Sequence, residues 1–157
     1  MTTAHDEQVA KRSFELSTTV PGAPTDVIDF LMDLDKHRGL HPYLVSAKKV
    51  TAGVSHRGPW FDWHVVERPA LGPLRYRVRF RARLTRMSDT SMEARVWAAP
   101  GCHLRGVTRA ESLADGRTLL TECVVATAPL PVVRYLARQA RAAHAQTFAR
   151  LSETLVG

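Results

Sequence analysis

The first pattern along the chain is alternation. Phe14, Leu16, Thr18 and Val20 alternate with Ser13, Glu15, Ser17 and Thr19, the period of two that marks a strand with one buried face. Pro21-Gly22-Ala23-Pro24 ends it. Thr25 then predicts a helix N-cap, Asp26 places a carboxylate in the first turn, and Val27, Ile28, Leu31 and Leu34 recur at helical spacing. Asp35 to Gly39 reads as a second short helical turn or a loop, and Pro42 directs Leu40-His41 toward extended backbone. Strand patterns follow at Tyr43 to Thr51, Trp60 to Arg68, Leu74 to Arg86, Met92 to Ala98, Leu104 to Leu113 and Arg117 to Thr127, with Ala52-Gly53, Pro69 and Gly72-Pro73, Pro100-Gly101 and Asp115-Gly116 as breaks. In the clearest, Leu74, Tyr76, Val78, Phe80, Ala82 and Leu84 alternate with Arg75, Arg77, Arg79, Arg81, Arg83 and Thr85, so an apolar face backs an arginine ladder. After Pro129 and Pro131, Val132 to Leu155 predicts a long helix whose stripe is Val133, Ala137, Ala140, His144, Phe148, Leu151 and Leu155.

Composition narrows the class. A chain of 157 residues with 45% apolar and 24% charged residues suits one folded domain, here residues 11–157 behind a polar tail at 1–10. No apolar run approaches the ~20 residues needed to cross a bilayer, and Asp6 and Glu7 stand where a signal peptide carries bases, so the expected location is cytoplasmic. Cys102 and Cys123 lack CxxC spacing and read as free thiols in the core.

Charge raises the question of an acidic partner, because 22 Lys and Arg against 15 Asp and Glu give +7. The ladder Arg75 to Arg83, extended by Arg95, Arg105 and Arg109, could meet phosphates or anionic lipid head groups. Glu93, Glu111 and Glu122 on adjacent strands would neutralise part of it, and no aromatics are expected on that face, so it reads as solvated and nucleic acid is not an expected partner. His144 is the leading candidate for chemistry, since it interrupts the buried helix stripe and an imidazole exchanges protons near neutral pH. Asp62 and His64 share one parity of a strand, an acid/base pair if that face is internal and a surface pair if it is not. Among His37, His41, His64, His103 and His144 the one HxxxH is His37-Arg38-Gly39-Leu40-His41, in a segment read as turn or loop, and there is no HExxH, Gly-rich phosphate loop or GxSxG, so neither metal nor cofactor is expected.

The stretch from Val20-Pro21-Gly22-Ala23-Pro24 through Phe30-Leu31-Met32-Asp33-Leu34-Asp35 resembles the opening of the START-like or Bet v 1-like (SRPBCC) superfamily, in its polyketide cyclase/dehydrase and lipid-transport branch. Leu40-His41-Pro42 and Ala128-Pro129-Leu130-Pro131 are similar to that branch too. The resemblance implies an α+β helix-grip fold: a curved seven-stranded antiparallel sheet around a long C-terminal helix, with two short helices after the first strand. It also implies a hydrophobic small-molecule partner in an internal cavity. Tyr43, Trp63, Tyr76, Val78, Phe80, Met92, Val96, Leu104, Val125, Ala140, His144 and Phe148 are the expected lining. Three activities stand: a binder of a lipid-like or polyketide-like molecule, a cyclase or aromatase using His144, or His64 with Asp62, as acid/base, and an interaction module using the basic face. Membrane contact would be transient at most, and the chain a monomer or homodimer.

Overall fold

The computed structural model describes residues 9–71 and 73–155. Its strands are β1 (Val9–Val20), β2 (Leu44–Ser55), β3 (Gly58–Glu67), β4 (Ala70–Leu71), β5 (Leu74–Arg75), β6 (Val78–Ser88), β7 (Ser91–Ala99), β8 (Cys102–Ser112) and β9 (Thr118–Pro129). The helices are α1 (Pro24–Met32) and α2 (Leu130–Thr154), with a single 3₁₀ turn at Leu34–His37. Seven strands form one antiparallel sheet in the order β1-β9-β8-β7-β6-β3-β2, and β4 and β5 form a separate small hairpin. This is the helix-grip architecture of the α+β class, with α2 packed along β1 and β9.

The alternation decides which residues face α2. Phe14 and Val20 of β1, Ala82 and Leu84 of β6, Met92 of β7, and Leu120, Val124 and Ala126 of β9 are buried on the inner face. The main core lies at the end of the sheet closed by α1, where Val20, Val27, Ile28, Leu120 and Leu151 are almost wholly buried. Two polar contacts tie α1 and its approach to that end. Arg86 bonds Asp29, and Thr118 Oγ1 donates to Gly22 O at 2.7 Å.

Several boundaries differ from the sequence expectations. Residues 1–8 of the expected tail lie outside the described residues, but Val9 and Ala10 already pair with Pro129 and Ala128. Helix α1 is capped at Ala23 rather than Thr25, because Pro24 supplies the preset φ of a first helical residue. Leu40-His41-Pro42 is not extended; His41 O accepts from Leu44 N at 3.3 Å in a turn. Gly53 does not end β2, for its missing Cβ leaves room for Trp60, whose ring would lie 2.4 Å from it. The run from Leu74 to Arg86 is split, since the chain leaves the sheet after β3 and rejoins it only at Val78, with Tyr76 N donating to Pro69 O at 3.2 Å. Periodicity records the parity of such a segment, and cannot record that the pairing stops. Cys123 is exposed rather than a core residue, its Sγ donating to Glu15 at 3.3 Å, because it takes the outward parity of β9; Cys102 is buried.

Leu151 is fully buried where α2 meets α1's end of the sheet. Leu151→Ala is expected to lower unfolding stability by about 2–5 kcal/mol, measured by urea denaturation at constant m-value.

Candidate functional site

The inner faces of β6, β7 and β8 stand apart from α2 and enclose a cavity of about 390 Å³, with Leu31 of α1 also in its wall. Val78 and Phe80 of β6, Met92 and Val96 of β7, Leu104 of β8 and Ala140 and Phe148 of α2 supply apolar wall, and Tyr43 and Tyr76 border it. It reaches the surface where Tyr76 and Val132 are 37% and 39% exposed. At that end the two phenol oxygens of Tyr76 and Tyr135 lie 2.6 Å apart, joining the β5–β6 link to the first turns of α2. Burial and this bond push the Tyr76 phenol up to about 12, so it remains protonated at neutral pH.

The inner wall carries one polar cluster. Glu122 shares the parity of Leu120, Val124 and Ala126, which turns its carboxylate toward α2, and there Oε1 lies 2.5 Å from His144 Nδ1. Thr108 Oγ1 donates to the other oxygen at 3.4 Å. Burial opposes a charge on His144, but Glu122 overrides it and holds the imidazole above its ordinary value. Burial likewise opposes the Glu122 carboxylate, and His144 and Thr108 override it downward. Each group thus favours the charged form of the other.

His41 stands edge-on to His144, ring centres 6.2 Å apart. Its Nδ1 accepts from Tyr43 N at 3.3 Å, which leaves the ring proton on Nε2, 3.5 Å from Glu67 Oε1. Burial, reinforced by the positive charge of His144, drives His41 down to about 3, so this imidazole is neutral. Burial raises Glu67 to about 7, partly offset by His144. The cavity thus holds an imidazole whose charged form Glu122 favours, near a carboxyl poised to gain or lose a proton, a pairing suited to proton transfer. Gln139 Oε1 is buried on the wall without a hydrogen-bond partner, and His37, stacked on Phe30, has its imidazole kept neutral by burial.

Other expected site residues lie elsewhere. Asp62 and His64 face outward, because Phe61, Trp63 and Val65 take the inner parity of β3. Asp62 accepts from Arg83 Nε at 2.7 Å and Nη2 at 2.9 Å, and those bonds hold its carboxyl down, while His64 is exposed between Lys48 and Arg81 in register. Neither reaches the cavity. Val125 takes the outward parity of β9, and Trp63 is packed in the main core, 2% exposed, rather than on the cavity wall. Glu122 is not a partner of the ladder; that role falls to Glu93, 2% exposed among Arg57, Arg95 and Arg105 at 2.9, 2.9 and 2.7 Å. The outer face is not free of aromatics either, since Trp60 lies beneath Arg83 and Trp97 beneath Arg81.

Glu122, Glu67, His41 and Gln139 were not among the expected site residues. Glu67 had a signal, a single carboxylate on the parity of Phe61, Trp63 and Val65, and Glu122 a weaker one, because the residues after it are apolar on both parities. His41 and Gln139 had none, because the turn at His41 and the rotation of α2 are tertiary facts.

No family model matches the chain, and no curated protein matches it in sequence. Solved structures do. The Zhui aromatase/cyclase from Streptomyces sp. R1128 superposes with a TM-score of 0.72 at 14% identity over 93% of this chain and 94% of that one. The di-domain ARO/CYC BexL from the BE-7585A biosynthetic pathway gives 0.73 at 11% over 94% of this chain and 50% of that one. Ara h 8.0201 gives 0.68 at 15% over 94% and 99%. At these identities the likeness establishes the fold.

Two predictions test the electrostatics. Glu122→Gln removes most of what holds His144 up and leaves burial opposed only by Glu67, so its imidazole, followed by NMR, is expected to titrate lower than in the wild type. Between the ordinary carboxyl value of 4.5 and about 7, folded Glu67 holds a proton that the unfolded chain has lost. Wild-type thermal stability is therefore expected to fall relative to Glu67→Gln as pH rises through that window and to level off above it.

Proposed function

We propose, from the helix-grip fold shared with the START-like and Bet v 1-like proteins, that this chain binds a hydrophobic small molecule of lipid-like or polyketide-like character between sheet and α2. The observation that carries this reading is the cavity itself, about 390 Å³ with a largely apolar wall and a few convergent polar groups, the usual anatomy of a small-molecule site. Apolar burial, at roughly 25 cal/mol per Å² removed from water, supplies affinity. The His144 imidazolium and any hydroxyl that can satisfy Gln139 Oε1 supply orientation. Val96 lies on the β7 wall, half-buried, so Val96→Trp projects bulk into the space. Binding of the neutral fluorophore N-phenyl-1-naphthylamine is expected to weaken at least about tenfold; unchanged binding would remove the cavity as the site.

The Glu122–His144 pair favours a second reading, a cyclase or aromatase. An occupant with two carbonyls would lose a methylene proton to the Glu67 carboxylate, and the resulting carbanion would form a carbon–carbon bond to the second carbonyl. The imidazolium of His144 would protonate the alkoxide so formed, and Glu122 would stabilise the charged acid beforehand. Supporting it are the opposed shifts of His144 and His41 and the near-neutral Glu67. With a poly-β-keto substrate, His144→Ala is expected to cut the cyclisation rate by about 10²–10⁴ while substrate binding persists. Equal rates in the two proteins would leave binding as the function.

A further inference from the structure

The chain's charge is segregated along its length. No Asp or Glu occurs from Arg68 to Arg86, from Ala94 to Ala110, or from Cys123 to Ser152. The antiparallel sheet gathers these runs at one end: the β4–β5 hairpin, the β7–β8 turn and the start of α2 all lie where the cavity opens, joined there by the Tyr76–Tyr135 bond. Arg68, Arg75, Arg77, Arg134 and Arg138 are exposed in these segments. Six aspartates collect at the other end, Asp26 and Asp29 on α1, Asp33 and Asp35 at the 3₁₀ turn, Asp89 in the β6–β7 turn and Asp115 in the β8–β9 hairpin, beside Lys36, Arg38, Arg57, Arg86 and Arg117, so positive charge there is largely balanced as it is not at the mouth.

The same basic end carries exposed apolar side chains: Leu74 is 67% exposed, Leu130 51%, Val132 39% and Tyr76 37%. Arginines in the convex ladder are differently placed, since Arg83, Arg95 and Arg105 are occupied by Asp62 and Glu93.

We propose that the end of the molecule around the cavity mouth docks on an anionic lipid surface, with Leu74, Leu130 and Val132 entering the head-group boundary and the surrounding arginines meeting lipid phosphates. A bilayer interface accepts both chemistries at once, apolar side chains a few ångströms deep and guanidinium groups at head-group level. Nucleic acid would meet the arginines but give Leu74, Leu130 and Val132 no apolar partner. This inference rests on charge and exposure at the mouth and holds whichever molecule the cavity takes.

The test is co-sedimentation of the purified chain with phosphatidylcholine vesicles containing phosphatidylglycerol, against phosphatidylcholine alone. Binding to the anionic vesicles is expected, falling as salt rises. Arg75→Gln/Arg77→Gln/Arg134→Gln/Arg138→Gln is expected to weaken it at least about tenfold, and Leu74→Ser/Leu130→Ser to weaken it without changing its salt dependence. Lys48→Gln/Arg79→Gln/Arg81→Gln/Arg109→Gln removes the same charge from the convex face and is expected to bind as wild type. No sedimentation with anionic vesicles at low salt would overturn the proposal, as would equal losses in the two quadruple variants. N-phenyl-1-naphthylamine binding, measured on every variant, reports folding and the cavity separately: vesicle binding absent with probe binding intact defeats docking alone, and the converse defeats the cavity reading alone.

Discussion

One helix cannot fill the hollow of a seven-stranded sheet. Strands about 4.8 Å apart make the sheet roughly 29 Å wide, whereas a helix with its side chains is about 10–12 Å across. Helix α2 lies along β1 and β9, and α1 closes the far end against β6, β7 and β8. The apolar inner parity of β6, β7 and β8 is left facing space near the opening. The cavity follows from that mismatch of widths, and Glu122, His144, His41 and Glu67 are arranged around it.

Polar groups in such a space are costly unless they are paired, so their presence is informative. Glu122 and His144 stabilise each other's charge where burial alone would neutralise both. That charge depresses His41 and offsets part of the burial felt by Glu67, so four groups from β9, α2, β3 and the turn before β2 titrate as one system. The convex face shows the opposite economy. Glu93 is buried beneath three arginines and Asp62 is held by one, so these acids serve the sheet and not the cavity.

Parity was legible in the sequence, and continuity and rotation were not. The alternation in β6 and β7 correctly sends Phe80, Met92 and Val96 inward, because a strand's period of two admits no other sorting once one face is apolar. It could not say which face of β3 was inner, since Trp60 and Trp63 put an aromatic on each, so both readings of Asp62 and His64 stood open, and the structure takes the surface pair. On β9 the run Cys123-Val124-Val125-Ala126 is apolar on both parities, which hid the inward direction of Glu122 and misplaced Val125. His144 was legible because a helix stripe of seven positions outweighs one polar residue. Its partner was 22 residues away on a strand, beyond the reach of any local pattern.

The most direct test of the central claim is native mass spectrometry of the purified chain, as isolated and after incubation with a panel of uncharged acyl and polycyclic compounds, followed by denaturing extraction. A cavity left by the mismatch of helix and sheet predicts a complex of one small molecule per chain, released on denaturation and identified as hydrophobic. The bare chain mass throughout, with no adduct from any member of the panel, would contradict the account.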